Sequence, residues 1–167
     1  LHDPSFFTAL TNTLYFTGMS VGLSLIIGFS LALLLHHVKR GKGIYLTLLL
    51  LPMVSTPVVI ALGFRYMYDP SYGVITKLLS LIGFDLTLLG SPNLALPSVI
   101  AVEVWEWTPF MALVLFAGLE SLHPRVFEAA AIDGASWIQA FRRITLPQMR
   151  NVILIAVLIR AMDAMRS

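Results

Sequence analysis

Glu103, Trp105, Glu106 and Trp107 place two carboxylates and two indoles inside an otherwise apolar run. Carboxylates accept hydrogen bonds from donors, and aromatic rings offer flat apolar faces. Glu103, Glu106 and Phe110 recur at helical spacing, with Trp107 one turn from Glu103, so one helix face could line a path or cavity. An acid within a membrane span is costly and usually faces a cavity or a partner. Near the outer end of a span, the same two acids would instead reach headgroups or water. The residues alone leave both readings open. Arg160 and Asp163 stand one helical turn apart and can form an ion pair.

Other motifs point away from catalysis. Gly18-Met19-Ser20-Val21-Gly22 matches the G-x-S-x-G of a hydrolase elbow, which requires a strand-to-helix turn. Here it lies in a long apolar run, where G-x-x-x-G reads as a helix-packing face extended by Ser24 and Gly28. The competing enzyme reading, an intramembrane serine hydrolase using Ser20, needs a histidine within hydrogen-bond reach. The nearest ones in sequence, His36 and His37, lie at the far end of that run. Gly41-Lys42 is no phosphate loop: His36 occupies the place of its first glycine and Gly43 that of its Ser or Thr. His2, His36, His37 and His123 have no metal-site spacing, so no metal is expected. The absence of cysteine removes disulfides, thiolate zinc sites and thiol catalysis.

The elements that must hold these residues are membrane helices. The 167 residues are 57% hydrophobic and 12% charged, with a mean hydropathy of +0.85. That leaves too little polar surface to cover a water-soluble domain, which is typically about 25% charged. Disorder needs the opposite balance. Four runs approach the roughly 20 residues that a span requires: about 7–38, 44–64, 96–119 and 147–167. The ends, Leu1 and Arg166-Ser167, read as cuts through a longer membrane protein. Lys39, Arg40 and Lys42 fill the first connection, and Arg125, Arg142, Arg143 and Arg150 the third. The second, about 65–95, sets Arg65 and Lys77 against Asp69 and Asp85. By the positive-inside rule the first and third connections are cytoplasmic and the second is external. Tyr66, Tyr68 and Tyr72 would then form an aromatic belt where the second span ends. Residues 74–82 suggest a short amphipathic helix ending at Gly83 and lying on the outer membrane surface.

The third connection, 120–146, carries the strongest pattern. Pro124 suits the first position of a helix, and Asp133-Gly134 suits its end. Ser136-x-x-Gln139 is a capping box that starts a second helix. Thr145-x-x-Gln148, with Pro147 between, suggests a similar start for the last span. Val126, Phe127, Ala130 and Ala131 form an apolar stripe on the first short helix. Trp137, Ile138 and Phe141 form another on the second. Each stripe must pack under its own bundle or dock on another protein.

This connection resembles the cytoplasmic motif of permease subunits in binding-protein-dependent ABC importers: E-A-A, three residues, G, nine residues, I-x-L-P. The chain has Glu128-Ala129-Ala130, Gly134 and Ile144-Thr145-Leu146-Pro147 at those spacings. Trp107-Thr108-Pro109-Phe110, Ala117-Gly118-Leu119 and Ile132-Asp133-Gly134-Ala135 look like the sugar-transporting branch, similar to maltose and glycerol-phosphate permeases. Asn12-Thr13-Leu14 and Leu51-Pro52 add to the likeness. The resemblance implies an all-α polytopic helix bundle of the type I importer kind, here about four of roughly six spans. It implies no catalysis in this chain, with ATP and Mg bound by a partner ATPase dimer. A second permease subunit, an external solute-binding protein and membrane lipid would complete the surroundings, with no nucleic acid. The location implied is the prokaryotic inner membrane. Glu128, Ala129, Ala130, Gly134, Ile144, Leu146 and Pro147 would couple to the ATPase. A membrane scaffold without transport is the remaining alternative.

Overall fold

The computed structural model describes residues 4–38, 40–84 and 87–166. Leu1, His2, Lys39, Asp85 and Ser167, used in reading the sequence, lie outside the described residues. The described residues form eight α-helices and no strand: α1 Pro4–His37, α2 Lys42–Val54, α3 Pro57–Met67, α4 Val74–Leu81, α5 Pro92–Glu120, α6 Pro124–Ile132, α7 Trp137–Ala140 and α8 Leu146–Ala164. A π-helical segment, Phe141–Thr145, joins α7 to α8.

Three stretches are long and apolar enough to cross a membrane: Phe6–His37, Pro92–Glu120 and Trp137–Ala164. Their outer faces expose large apolar side chains such as Ile26, Leu34, Leu154 and Leu158. That is the expected surface of helices solvated by lipid, where every backbone polar group must be satisfied internally. Three hydroxyls on α1 are satisfied in the same way. Thr11, Thr13 and Ser30 donate to the carbonyls of Phe7, Ala9 and Ile26, four residues back.

The run 44–64 is not one straight span. α2 and α3 meet at an angle of 86°. Ser55 and Thr56 are extended, with ψ of 144° each, and Pro57 opens α3. A residue before proline is pushed out of the helical region, so Thr56 breaks the helix. Pro52 lies within the last turn of α2 without ending it. After α3, the Asp69 carboxylate accepts the backbone N–H groups of Ser71 (2.8 Å) and Tyr72 (3.3 Å). Its charge also pushes the Tyr72 phenol above its ordinary range. Of the three tyrosines expected in a belt, Tyr66 and Tyr72 are exposed, but Tyr68 is buried and its hydroxyl donates to the Ser98 carbonyl. Tyr68 therefore ties α3 to α5.

The core lies between α1, α5 and α8. Val21, Met111, Ala156 and Ala164 form one cluster, and Ala32, Leu115, Leu119 and Met149 another. The packing face of α1 is not the one that Gly18 and Gly22 suggest: a Cβ added at either would meet nothing within 4 Å. The buried stripe is Thr17, Ser20, Ser24 and Gly28. A Cβ at Gly28 would stand 2.7 Å from Met111 Cβ, so this glycine sets how closely α1 approaches α5.

Candidate functional site

A cavity of about 530 Å³ opens between α3, α5 and the end of α8. The bend at Pro57 turns α3 so that Ile60, Phe64, Arg65 and Tyr68 form one wall. α5 supplies Val99, Val102, Glu103, Glu106 and Trp107, and α8 and the residues after it supply Asp163 and Arg166. Glu103 lies about 16 Å along α5 from Pro92, at roughly 1.5 Å per residue. It faces this cavity rather than sitting at the helix end, and Glu106 beside it is buried.

Arg160 stands behind this wall, fully buried. Its Nη1 donates to Asp163 Oδ2 at 3.0 Å, and its Nη2 makes a short hydrogen bond to Glu103 Oε1. The guanidinium carbon lies 4.6 Å from the centre of the Trp107 ring. The pairing of Arg160 with Asp163 follows from their spacing, whereas Glu103 is 57 positions away in sequence. Among the four residues expected on one face, Glu103, Glu106 and Trp107 line the cavity. Phe110 does not; its ring meets Trp107 edge-on at 6.2 Å between centroids. Phe64, Arg65 and Tyr68 join the site only because of the break before α3, so apolar run length gave no sign of them.

The opposite end of the bundle carries the third connection. His36 Nδ1 at the end of α1 and Lys42 Nζ at the start of α2 lie 3.2 and 2.7 Å from Glu120 Oε1 at the end of α5. A smaller cavity of about 150 Å³ there is lined by Leu33, His36, Leu119, Phe127, Trp137 and Phe141, among others. The first and third connections therefore share one end of the bundle.

α6 runs from Pro124, at its first position, to Ile132, and Gly134 follows with φ +73°. Only glycine adopts that conformation without steric cost. Ser136 Oγ accepts the Gln139 backbone N–H while Gln139 Oε1 accepts the Ser136 N–H, completing a capping box. Glu128, Ala129 and Gly134 are exposed, Ala130 is half-buried, and Ile132 is 87% exposed. The two apolar stripes are only partly covered: Phe127 of the first and Phe141 of the second line the small cavity, while Trp137 and Ile138 remain largely exposed. The expected break at Thr145 is absent. Thr145 is helical, buried and makes no side-chain cap, because the π segment carries the helix through into α8. Ile144 is half-buried, and Leu146 and Pro147 face outward.

Ser20 is placed poorly for catalysis. Its hydroxyl is buried and donates to the Thr17 carbonyl at 3.3 Å. His36 lies about 24 Å further along the same helix. Among the described residues, no group of His, Asp or Glu could hold a metal ion.

Lipid-facing helices around a charged cavity, with an exposed helical hairpin at one end, define a polytopic α-helical membrane protein. The chain belongs to the binding-protein-dependent transport system inner membrane component family, whose model matches residues 24–166. The trehalose/maltose transport system permease protein MalF of Thermococcus litoralis is 37% identical over 155 residues, covering 92% of this chain and 52% of that protein. The trehalose transport system permease protein SugA of Mycobacterium tuberculosis is 36% identical over 166 residues, covering 99% and 53%. The crystal structure of a bacterial alginate ABC transporter, in complex with an alginate pentasaccharide-bound periplasmic protein, contains a chain that superposes with a TM-score of 0.84. Identity there is 30%, over 95% of this chain and 56% of that one. The chain spans about half the length of the curated relatives it matches.

Proposed function

We propose that this chain is the membrane-spanning core of a permease subunit in an ATP-driven importer for a sugar or related polyol, set in a prokaryotic inner membrane. The observation that carries the reading is the exposed α6 hairpin, bearing Glu128-Ala129-Ala130, Gly134 and Ile144-Thr145-Leu146-Pro147 at the family's spacings. The names of the sugar-permease relatives support the cargo class.

The end bearing Arg40, Lys42, Arg125, Arg142 and Arg143 faces the cytoplasm. There α6 seats in a cleft of an ATPase dimer that binds ATP and Mg. Closure of that dimer moves the hairpin, and the spans rock between inward-open and outward-open states. A second permease subunit completes the pathway, and an external solute-binding protein delivers the sugar. Glu103, Glu106 and Trp107 contact it in the cavity. This chain makes and breaks no bond.

The test uses the full-length subunit with its partners and radiolabelled maltose or trehalose. Glu128→Lys is expected to lose the ATPase on co-purification. Glu106→Ala is expected to keep the ATPase bound and lower uptake. If the wild-type protein neither co-purifies with an ATPase nor takes up sugar, the reading is wrong. Labelling of Ser20 by a serine-reactive probe would favour the hydrolase instead.

A further inference from the structure

Arg160 contributes no surface to the 530 Å³ cavity, yet three of the groups that do line it rest on this side chain. Both terminal nitrogens are committed, one to Glu103 and one to Asp163. The plane of the guanidinium is spent on Trp107. Nε is buried with no hydrogen-bond partner among the described residues. Stability is a poor reason for such a group. Buried ion triads often gain nothing over apolar residues of similar volume, and an ionisable residue at membrane depth points to function. Only a planar fork can serve two carboxylates and a ring at once; an ammonium is a point charge.

We propose that Arg160 is the positioning residue of this cavity: it fixes Glu103, Asp163 and Trp107 in one arrangement, which selects an uncharged polyol over an anionic one. The proposal rests on the reading that the cavity lies on the cargo's path. Arg160 is fully buried and lines no part of the cavity, so it presents no N–H there to meet an anion. The inner wall offers carboxylate oxygens of Glu103 and Glu106 as acceptors for hydroxyl donors, with the Trp107 ring beside them for an apolar sugar face. The carboxylates of Glu103, Glu106 and Asp163 are matched in number by the guanidiniums of Arg65, Arg160 and Arg166. The lining therefore carries no excess positive charge to draw an anionic cargo.

The test is uptake of radiolabelled maltose and trehalose by the complete reconstituted transporter. Arg160→Lys keeps the charge and loses the fork. Loss of one charge-assisted hydrogen bond is expected to raise KM about tenfold, with a smaller fall in kcat. The second variant, Asp163→Asn, leaves Glu103 in place and weakens one arm of the fork. It is expected to assemble at wild-type levels and still show the raised KM. A uronate-bearing disaccharide is expected to compete about tenfold less well than maltose at the wild-type transporter. Wild-type uptake with an unaltered KM in both variants overturns the positioning role alone. Equal competition by the uronate overturns the selectivity. A wild-type transporter that carries neither sugar defeats the underlying reading, and this proposal with it.

Discussion

Lys42 Nζ donates to Glu120 Oε1 at 2.7 Å, joining the first residue of α2 to the last residue of α5. The same ammonium lies 5.2 Å from the centre of the Phe116 ring. Both charged side chains remain about one-third or more exposed, so water and salt screen the pair. Lys42→Met is expected to cost no more than about 1 kcal/mol. Thermal unfolding of the purified full-length protein at low and high salt checks this. A cost of several kcal/mol, or one that salt leaves unchanged, would mean that the pair is desolvated.

Two glycines on α1 are expected to respond in opposite directions. Gly28→Ala drives a methyl group against Met111 and the backbone at Ala112, an overpacking that costs about 1–3 kcal/mol. Gly18→Ala meets open space within a helix and should stabilise by up to about 1 kcal/mol. Melting temperatures of the two variants in detergent decide the matter. Equal shifts would contradict the assigned packing face.

The two ends of the bundle should be accessible from opposite sides of the membrane. Arg40 and Tyr72 are both exposed, and this segment contributes no cysteine of its own. Gly41 is a poorer probe site because its φ of +76° disfavours a side chain. Arg40→Cys is expected to label only from the cytoplasmic side, and Tyr72→Cys only from outside. Labelling of both from one side would refute the orientation given by the basic residues.

At the hairpin, backbone cost and docking can be separated. Nothing lies within 4 Å of a Cβ built at Gly134. Gly134→Ala should therefore cost about 1–2 kcal/mol, the penalty of the left-handed conformation alone. Glu128→Lys changes an exposed side chain and should leave the unfolding free energy within about 0.5 kcal/mol of wild type. Co-purification of the ATPase is expected to fall sharply with Glu128→Lys. Retention of the ATPase at wild-type levels would remove Glu128 from the docking surface.

Local chemistry made the hairpin legible in the sequence. Pro124, Gly134 and the Ser136–Gln139 box each act within a few residues, and each does in the structure what its type dictates. The break in the second apolar run was also written locally, in Thr56-Pro57, but the length of the run concealed it. Thr145-x-x-Gln148 has the letters of a helix start without the turn that a start requires, since nothing between Ala140 and Leu146 interrupts the helix. Which face of α1 packs was settled by Thr17, Ser20 and Ser24, whose burial depends on where α5 lies. Glu103 could be suspected as a cavity acid from its cost in a span. Its partner could not be named, because only the packing of α5 on α8 brings Arg160 to it.

The unbroken helix from Trp137 to Ala164 has a mechanical consequence. Trp137 lies at the exposed hairpin, and Arg160 lies behind the charged cavity about 35 Å further on. No loop separates them to absorb a displacement. The widened π turn at Phe141–Thr145 is where the shaft can change its winding by a fraction of a turn. A push at the Trp137 end would arrive at Arg160 as a slide or a twist of one stiff rod. The salt link to Glu103 would then be the bearing on which that rod turns.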